Sequence, residues 1–427
     1  MLARLFPNPR FHGWRVLAAC LGLAALSGPG QSYLLSLYID HLVEDLGVSR
    51  LEVSSVYGGA TVVAALALPW VGGLADRLRA RTFARGVLVL LAAAAAGLAF
   101  SHALWAVALA FFALRLLGQG SISLGITTTV VRWFFRYRGR ALALTSAGYA
   151  VGEAIYPTVA VALIAGVGWR GSLLVVAAAY VLLFAPLLGR ILRERRADEP
   201  IDGGPVPDDG RSARLQTSID WDPRDALRAP VFWLLLAASC VSPFLLTGMI
   251  FHMPAIFRSV GWAAEAAPRA FAAYAAAGLA LTYATGLVME RIHARFGLFV
   301  GLVVLGASAL LPLLPLSPSV GPWVFGAALG GSAGIAHGAN GILWPAYFGV
   351  RSLGALKGVV NAARNGSTAL APPLAAWMAG PEESFVGFAL LCAAVAAAFA
   401  LAALAAPAQA RHPDPAGERA GALGTRR

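Results

Sequence analysis

Apolar residues fill this chain in long continuous stretches, and polar residues gather between them. Twelve stretches stand out, at about 14–38, 51–74, 83–101, 104–131, 141–165, 170–189, 230–257, 267–289, 297–315, 321–347, 354–378 and 384–406. Each approaches or exceeds the ~20 residues that a helix needs to cross a hydrocarbon core. None shows the alternation of a membrane-barrel strand, and Ala- and Leu-rich runs of this length favour helix. The pattern predicts an all-α membrane protein with twelve transmembrane helices. Gly and Pro interrupt several stretches, which membrane helices tolerate because neighbouring helices re-satisfy the backbone.

Composition agrees with that pattern. Hydrophobic residues make up 59% of the chain, charged residues 13%, and the mean hydropathy is +0.71. An ordinary soluble domain is excluded. The formal net charge of +12 suits a nucleic-acid binder, but its distribution does not. Arg is concentrated in alternate loops, at 77–85, 132–140, 190–228 and 291–295, and in both tails. The intervening loops hold Asp40, Glu44, Asp45, Glu52, Glu265, Glu382 and Glu383. This positive-inside arrangement predicts a multi-pass protein of a bacterial cytoplasmic (inner) membrane, with both termini cytoplasmic and no nucleic-acid partner. Lys357 is the sole lysine in an Ala-rich chain, so the choice of Arg over Lys reflects a GC-rich genome rather than chemistry. Cys20, Cys240 and Cys392 are scattered within apolar stretches and read as small packing residues. Arg4, Arg10 and Arg15 precede a full-length first stretch, which predicts a retained helix rather than a cleaved signal.

Residues 190–228 differ from their surroundings. Asp198–Gly210 is rich in Asp, Gly and Pro, the composition of a flexible linker. Trp221–Arg228 is expected to lie amphipathically on the membrane surface. The organisation predicted is therefore a six-helix bundle over 1–189, a cytoplasmic linker over 190–228, a second six-helix bundle over 229–406, and a disordered tail over 407–427. The halves also align with each other. Gly72-x-x-x-Asp76-Arg77 with Arg81 matches Gly286-x-x-x-Glu290-Arg291 with Arg295; Trp133-Phe134 matches Tyr347-Phe348; Gly139 matches Gly354, and Pro157 matches Pro372. One nearly constant offset across three parts of each half implies two pseudo-symmetric bundles related by an axis along the membrane normal.

With those residues in view, the chain resembles the major facilitator superfamily. The family's loop after the second span, Gly-x-Leu-Ala-Asp-Arg-x-Gly-Arg-Arg, reads here Gly72-Gly73-Leu74-Ala75-Asp76-Arg77-Leu78-Arg79-Ala80-Arg81. The fourth span carries the family's Arg-x-x-x-Gly pattern at Arg115 to Gln119 and Gly120. Phe11-His12-Gly13-Trp14-Arg15, Gly28-Pro29-Gly30-Gln31, Trp133-Phe134 with Arg138-Gly139-Arg140-Ala141, and Gly168-Trp169-Arg170 are similar to the monocarboxylate porter and oxalate–formate exchanger branch. Members of that branch often carry a basic residue in the eighth span, whereas Ala270–Met289 has none. The resemblance implies a transporter that alternates access, with a cytoplasmic gate at Gly72, Asp76, Arg77, Arg81, Gly286, Glu290 and Arg291. The other reading of those loops is static charge that sets topology.

Candidate chemistry lies at bilayer depth. Arg115, Glu153 and Arg364 sit about eleven residues inside their stretches, or some 17 Å deep at ~1.5 Å rise per residue. Charges there are costly unless they face a polar pathway or a partner. Arg115, with Gln119 one turn on, suits a carboxylate held by a fixed guanidinium fork; its alternative is an ion pair with Glu153. Arg364 belongs to a polar stripe with Lys357, Asn361, Asn365 and Thr368, spaced to share one helical face. No acid occurs at that depth in the second half, which makes Arg364 a cation awaiting an anion. Glu153 follows Gly148-x-x-x-Gly152, a surface that permits close helix approach. It reads either as a proton-coupling acid or as a permanent partner of Arg115. His252 and His337 are further titratable candidates, weighed against ordinary packing. Gln31, Tyr33 and Tyr149 are candidate pocket residues, and Tyr149 takes the place of Arg364 in the repeat.

Several signatures lead nowhere. Gly118-Gln119-Gly120 follows no strand and is not a nucleotide loop. Asn365-Gly366-Ser367 is a sequon at a depth where it is not glycosylated. No His, Cys or Asp cluster has metal-ligand spacing, so no metal, cofactor or enzymatic activity is expected. The chain therefore reads as a monomeric secondary transporter of a small, monocarboxylate-like anion bound between the halves, moved either alone or together with protons. The alternatives are a multidrug or other small-molecule exporter and a transporter-like sensor that binds without turnover. Two mid-bilayer arginines disfavour a cationic drug, and the lack of an appended signalling domain disfavours a sensor.

Overall fold

A computed structural model describes residues 11–134, 138–193, 221–289, 292–349 and 353–407. All regular structure among them is helical, and helix occupies each of the twelve apolar stretches. Among the described residues, eight segments are long and apolar enough to cross a membrane. One of these, Leu144–Ile191, has 48 residues. At ~1.5 Å per residue it is more than twice the thickness of a ~30 Å hydrocarbon core, so it must contain two crossings. The division falls at Gly168, whose φ of 74° lies in the left-handed region that favours glycine. The chain divides into two compact units, residues 1–208 and 209–427.

Three stretches that read as continuous in sequence are broken in space. The first consists of Gly13–Ala25, a 3₁₀ turn at Gly28–Gly30, and short helices from Ser32 to Leu46. Pro29 supplies the break, since its ring nitrogen has no hydrogen to donate. The seventh splits at His252 into Pro230–Phe251 and Met253–Ser259, with Pro254 in the first turn of the second piece. The eleventh splits into Leu353–Ser367 and Ala371–Ala379, with Pro372 and Pro373 opening the latter. The fourth runs from Leu104 to Trp133 but widens into a π-helical segment at Arg115–Ser121.

In the N-terminal unit, the ends of three loops are tied together by Arg170. Its guanidinium donates to the carbonyls of Ala99 and Ser101 at 2.6 and 3.0 Å, stacks on Trp169, and pairs with Asp45 at 3.3 Å. Asp45 also accepts from the Trp169 indole at 2.9 Å. Nearby, Ser49 and Glu52 form a reciprocal capping box that starts the second span. At the other end, Arg132 donates to the carbonyls of Ala75 and Leu78, capping the orphan acceptors where that span stops.

The internal repeat is visible in aromatic packing. Phe134 packs on Phe11 and Trp14, with ring centroids 5.7 and 5.5 Å apart. In the C-terminal unit Phe348 packs on Trp221 and Phe232, at 5.4 and 5.7 Å. Trp221 is therefore buried against the tenth span, and its backbone N–H bonds the Phe348 carbonyl. The helix that follows covers Pro223–Arg228, and Trp221 just before it anchors it to the bundle.

The tightest packing in the C-terminal unit joins the eighth and tenth spans. Gly326, Gly330, Gly334 and Gly338 fall every fourth residue along Gly321–Phe348 and so lie on one face. A β-carbon at the first three would run into the carbonyls of Ala270, Tyr274 and Gly278, and one at Gly338 would lie 3.0 Å from that of Thr282. The backbones touch over about three turns, and close approach of this kind holds membrane helices together without a hydrophobic driving force. Gly330→Val should lower stability by about 3 kcal/mol or more, since backbone cannot yield as a side chain can. The check is the melting temperature in detergent, with Gly341→Ala, whose added carbon meets nothing within 4 Å, as the harmless control on the same helix. Equal melting of the two variants would remove the ladder from the account.

Candidate functional site

Each unit carries its own polar centre at mid-span. In the N-terminal unit, Arg115 opens the π-helical segment and is 2% exposed. Its Nη1 donates to the Gly30 carbonyl at 3.0 Å and its Nε to the Thr61 hydroxyl at 3.1 Å. The guanidinium lies 5.1 Å from the centre of the Tyr57 ring, and its buried Nη2 has no hydrogen-bond partner. The break in the first span makes this arrangement possible. Gly30 and Gly118 approach so closely that a β-carbon on either would lie 2.6 Å from the other's Cα. That contact brings a carbonyl freed by the Gly28–Gly30 turn against the widened turn beneath Arg115. π-Helical turns often mark functional sites, and here one positions a buried cation.

Glu153 lies elsewhere in the same unit, partly exposed. It makes no ion pair with Arg115, and among the described residues it has no hydrogen bond or ion pair. The glycines preceding it pack as their spacing predicts, with Gly148 against the Leu21 carbonyl and Gly152 against that of Ala25. The same approach brings the Tyr33 hydroxyl within 3.1 Å of where a Gly152 β-carbon would stand. Tyr33 is within electrostatic reach of Glu153, Tyr149 and Tyr156. Tyr156 and Tyr180 share a hydroxyl bond, and Tyr180 donates to the Leu26 carbonyl at 2.6 Å. Gln31 is partly exposed and donates to Ser27, and Gln119 is partly exposed.

In the C-terminal unit, Arg364 stands one turn before the break in the eleventh span, partly exposed. Its guanidinium has no hydrogen bond or ion pair among the described residues, and Cys240 of the seventh span is within its electrostatic reach. Ser367 ties the helix end to the seventh span by donating to the Cys240 carbonyl at 3.2 Å. Asn361 and Asn365 are exposed, whereas Thr368 is buried. His252 is fully buried at the seventh-span break, with Nε2 2.9 Å from the Pro372 carbonyl and its ring against Phe251 and Phe385. It joins two broken spans. His337 is exposed on the tenth span.

The loop residues are less fully described. Gly72 and Gly286 lie on helices with no β-carbon clash, and Arg77 and Arg81 are exposed. The side chains of Asp76 and Lys357, and all of Glu290 and Arg291, lie outside the described residues, as does Asp198–Gly210. No group of three or more His, Cys, Asp or Glu residues suited to a metal occurs among the described residues.

Sequence reading missed Tyr57, Thr61 and Tyr180, which complete the N-terminal centre. Tyr57 and Thr61 are four residues apart in an apolar span, a polar pair on one helical face that was legible as such. Nothing in the sequence signalled the Gly30 carbonyl, because a backbone acceptor becomes available only where a helix breaks.

Comparison with known proteins bears on the whole arrangement. None of the curated protein sequences compared matches the chain. Two solved structures share its fold, both of a bacterial homolog to the human lysosomal transporter Spinster. The inward-facing, unoccupied form is 17% identical, with a TM-score of 0.69 over 93% of this chain and 98% of that one. The inward-facing, occupied form is 16% identical, with a TM-score of 0.71 over 92% and 97%. At these identities the likeness concerns fold alone. The sequence profile of the Major Facilitator Superfamily, however, matches residues 20–347. With that match spanning well over half its length, and with the multi-pass helical fold just described, the chain belongs to the major facilitator superfamily.

Proposed function

We propose that this protein is a secondary active transporter that moves a small, monocarboxylate-like organic anion by alternating access, with Arg364 as the principal ligand of the anion. The observation that carries this reading is the Arg364 guanidinium, set at bilayer depth with no hydrogen bond or ion pair among the described residues. A cation so placed is costly unless a partner arrives, and a guanidinium fork matches a carboxylate in shape and charge. Arg115 is a second source of positive field. Two of its donors are already committed to Gly30 and Thr61, so it contributes to anion binding mainly through charge and its remaining Nη2. Glu153 is the site at which a co-transported proton is taken up. No nucleotide-binding motif is present in the sequence, which leaves ion or solute gradients as the source of energy.

The test is a panel of short mono- and dicarboxylates screened by thermal melting of the purified protein at two pH values. A ligand that binds only the folded state raises the melting temperature by linkage, about 2.7 kcal/mol of stabilisation at a hundredfold excess over Kd. At least one monocarboxylate should do so. A flat response to every carboxylate at both pH values would overturn the reading.

A further inference from the structure

We infer that the outer surface where the third and sixth spans meet, at the end marked by Arg81 and Arg190, binds the phosphate headgroup of an anionic phospholipid, with Arg81, Arg85 and Arg190 as its ligands. Arg81 and Arg85 are four residues apart at the start of the helix Ala80–Ala99, so they share a face. Arg190 lies on the last turn of Ala185–Ile191, which closes the sixth span. The two helices meet at Gly189, where a β-carbon would collide with Nε and Cζ of Arg85. The bare backbone of Gly189 therefore lets the Arg85 guanidinium lie across the sixth span, against the same turn that carries Arg190.

All three arginines are exposed, and none has a hydrogen bond, ion pair or ring contact among the described residues. The positive-inside pattern accounts for arginines in the loops at this end of the spans. Arg85 goes further, because it stands five residues beyond Ala80, about 7–8 Å along the helix axis. That depth corresponds to the boundary between headgroups and acyl chains, where a guanidinium on a long apolar stem reaches towards phosphate.

The faces that carry these charges continue as apolar surface. Val89 stands one turn beyond Arg85 and Leu187 one turn before Arg190, and they are 43% and 45% exposed. Together the two spans offer both halves of a phospholipid site: apolar side chains for the acyl chains and, at one end, guanidinium donors for the phosphate. Guanidinium groups give phosphate oxygens charge-assisted, paired hydrogen bonds. A zwitterionic headgroup brings its own cation to that position, so phosphatidylglycerol should be preferred to phosphatidylcholine. The site is separate from the anion reading, since Arg364 belongs to the other unit.

The test is native mass spectrometry of the purified protein, incubated in detergent with an equimolar mixture of phosphatidylglycerol and phosphatidylcholine. The parent should retain phosphatidylglycerol preferentially and in a saturable manner. Combining Arg85→Gln with Arg190→Gln should reduce that retention at least about fivefold. Both positions are exposed, so the double variant should melt as the parent does in the absence of lipid. Arg269→Gln, exposed on the eighth span, should retain lipid as the parent does. Gly189→Ala keeps every charge but pushes the Arg85 side chain aside, and it too should retain less. Soluble glycerol 3-phosphate, which lacks acyl chains, should not displace the lipid. Displacement by it at equal concentration would make this a site for free phosphate and overturn the inference. Equal retention of the two lipids, or full retention of phosphatidylglycerol by the double variant or by Gly189→Ala, would overturn it as well.

Discussion

Arg364→Gln should leave the protein folded and inserted while reducing its affinity for the transported carboxylate at least tenfold. The guanidinium sits on the eleventh span one turn before the helix breaks, and no neighbouring acid among the described residues neutralises it. A bound carboxylate would therefore gain a charge-assisted, two-pronged contact in a poorly hydrated setting. Removing such a contact costs on the order of 2–5 kcal/mol. Arg364→Lys should recover part of the affinity, because it restores charge without the planar fork. Glutamine at this position should also raise the melting temperature of the empty protein, since an uncompensated charge at bilayer depth is itself destabilising. Calorimetric titration of the parent and both variants with the best monocarboxylate is the measurement. Unchanged affinity in a correctly folded Arg364→Gln protein would rule out the role.

The second large effect is expected at Glu153. If substrate and proton travel together, the form that binds substrate is the one with Glu153 protonated. Lower pH populates that form, so uptake should rise as pH falls through the range where the occupied site titrates. Glu153→Gln is fixed in the protonated-like state. It should still exchange substrate across a liposome membrane, because neither loading nor reorientation requires a charge change. It should lose accumulation driven by an imposed pH gradient, because no proton is released on the far side. Proteoliposome uptake with and without the gradient, alongside counterflow, separates these steps. Full pH-dependent accumulation by Glu153→Gln would make Glu153 structural, and His252 or His337 would be examined next. His252 is already committed to the Pro372 carbonyl, which places the exposed His337 ahead of it.

These predictions share an origin in what a low-dielectric span permits. The sequence by itself determined that the chain is a multi-spanning helical bundle, because hydrocarbon demands that every backbone group be paired within its own segment and that nearly every side chain be apolar. It placed Arg115, Glu153 and Arg364 about eleven residues inside their apolar stretches, and helical rise converts that residue number directly into distance along a span. The repeat, too, was legible: Trp133-Phe134 and Tyr347-Phe348 occupy matching helix ends with matching aromatic partners. The glycine ladder at 326, 330, 334 and 338 is written in the sequence as a spacing, but its partner helix is not.

Only the tertiary structure decided which groups meet. Arg115 and Glu153 lie at one depth on successive spans, so sequence left an ion pair between them open. In the folded unit Arg115 instead takes the Gly30 carbonyl, Thr61 and the Tyr57 face, while Glu153 lies within electrostatic reach of Tyr33. Depth is fixed by position along a helix, whereas partnership depends on rotation about its axis and on where neighbouring helices break. Those breaks arise at Gly28-Pro29-Gly30, at His252 and after Ser367. Gly and Pro announce that a span can break. Which carbonyl is freed, and which side chain reaches it, depends on packing between residues as distant in sequence as Gly30 and Arg115, 85 positions apart.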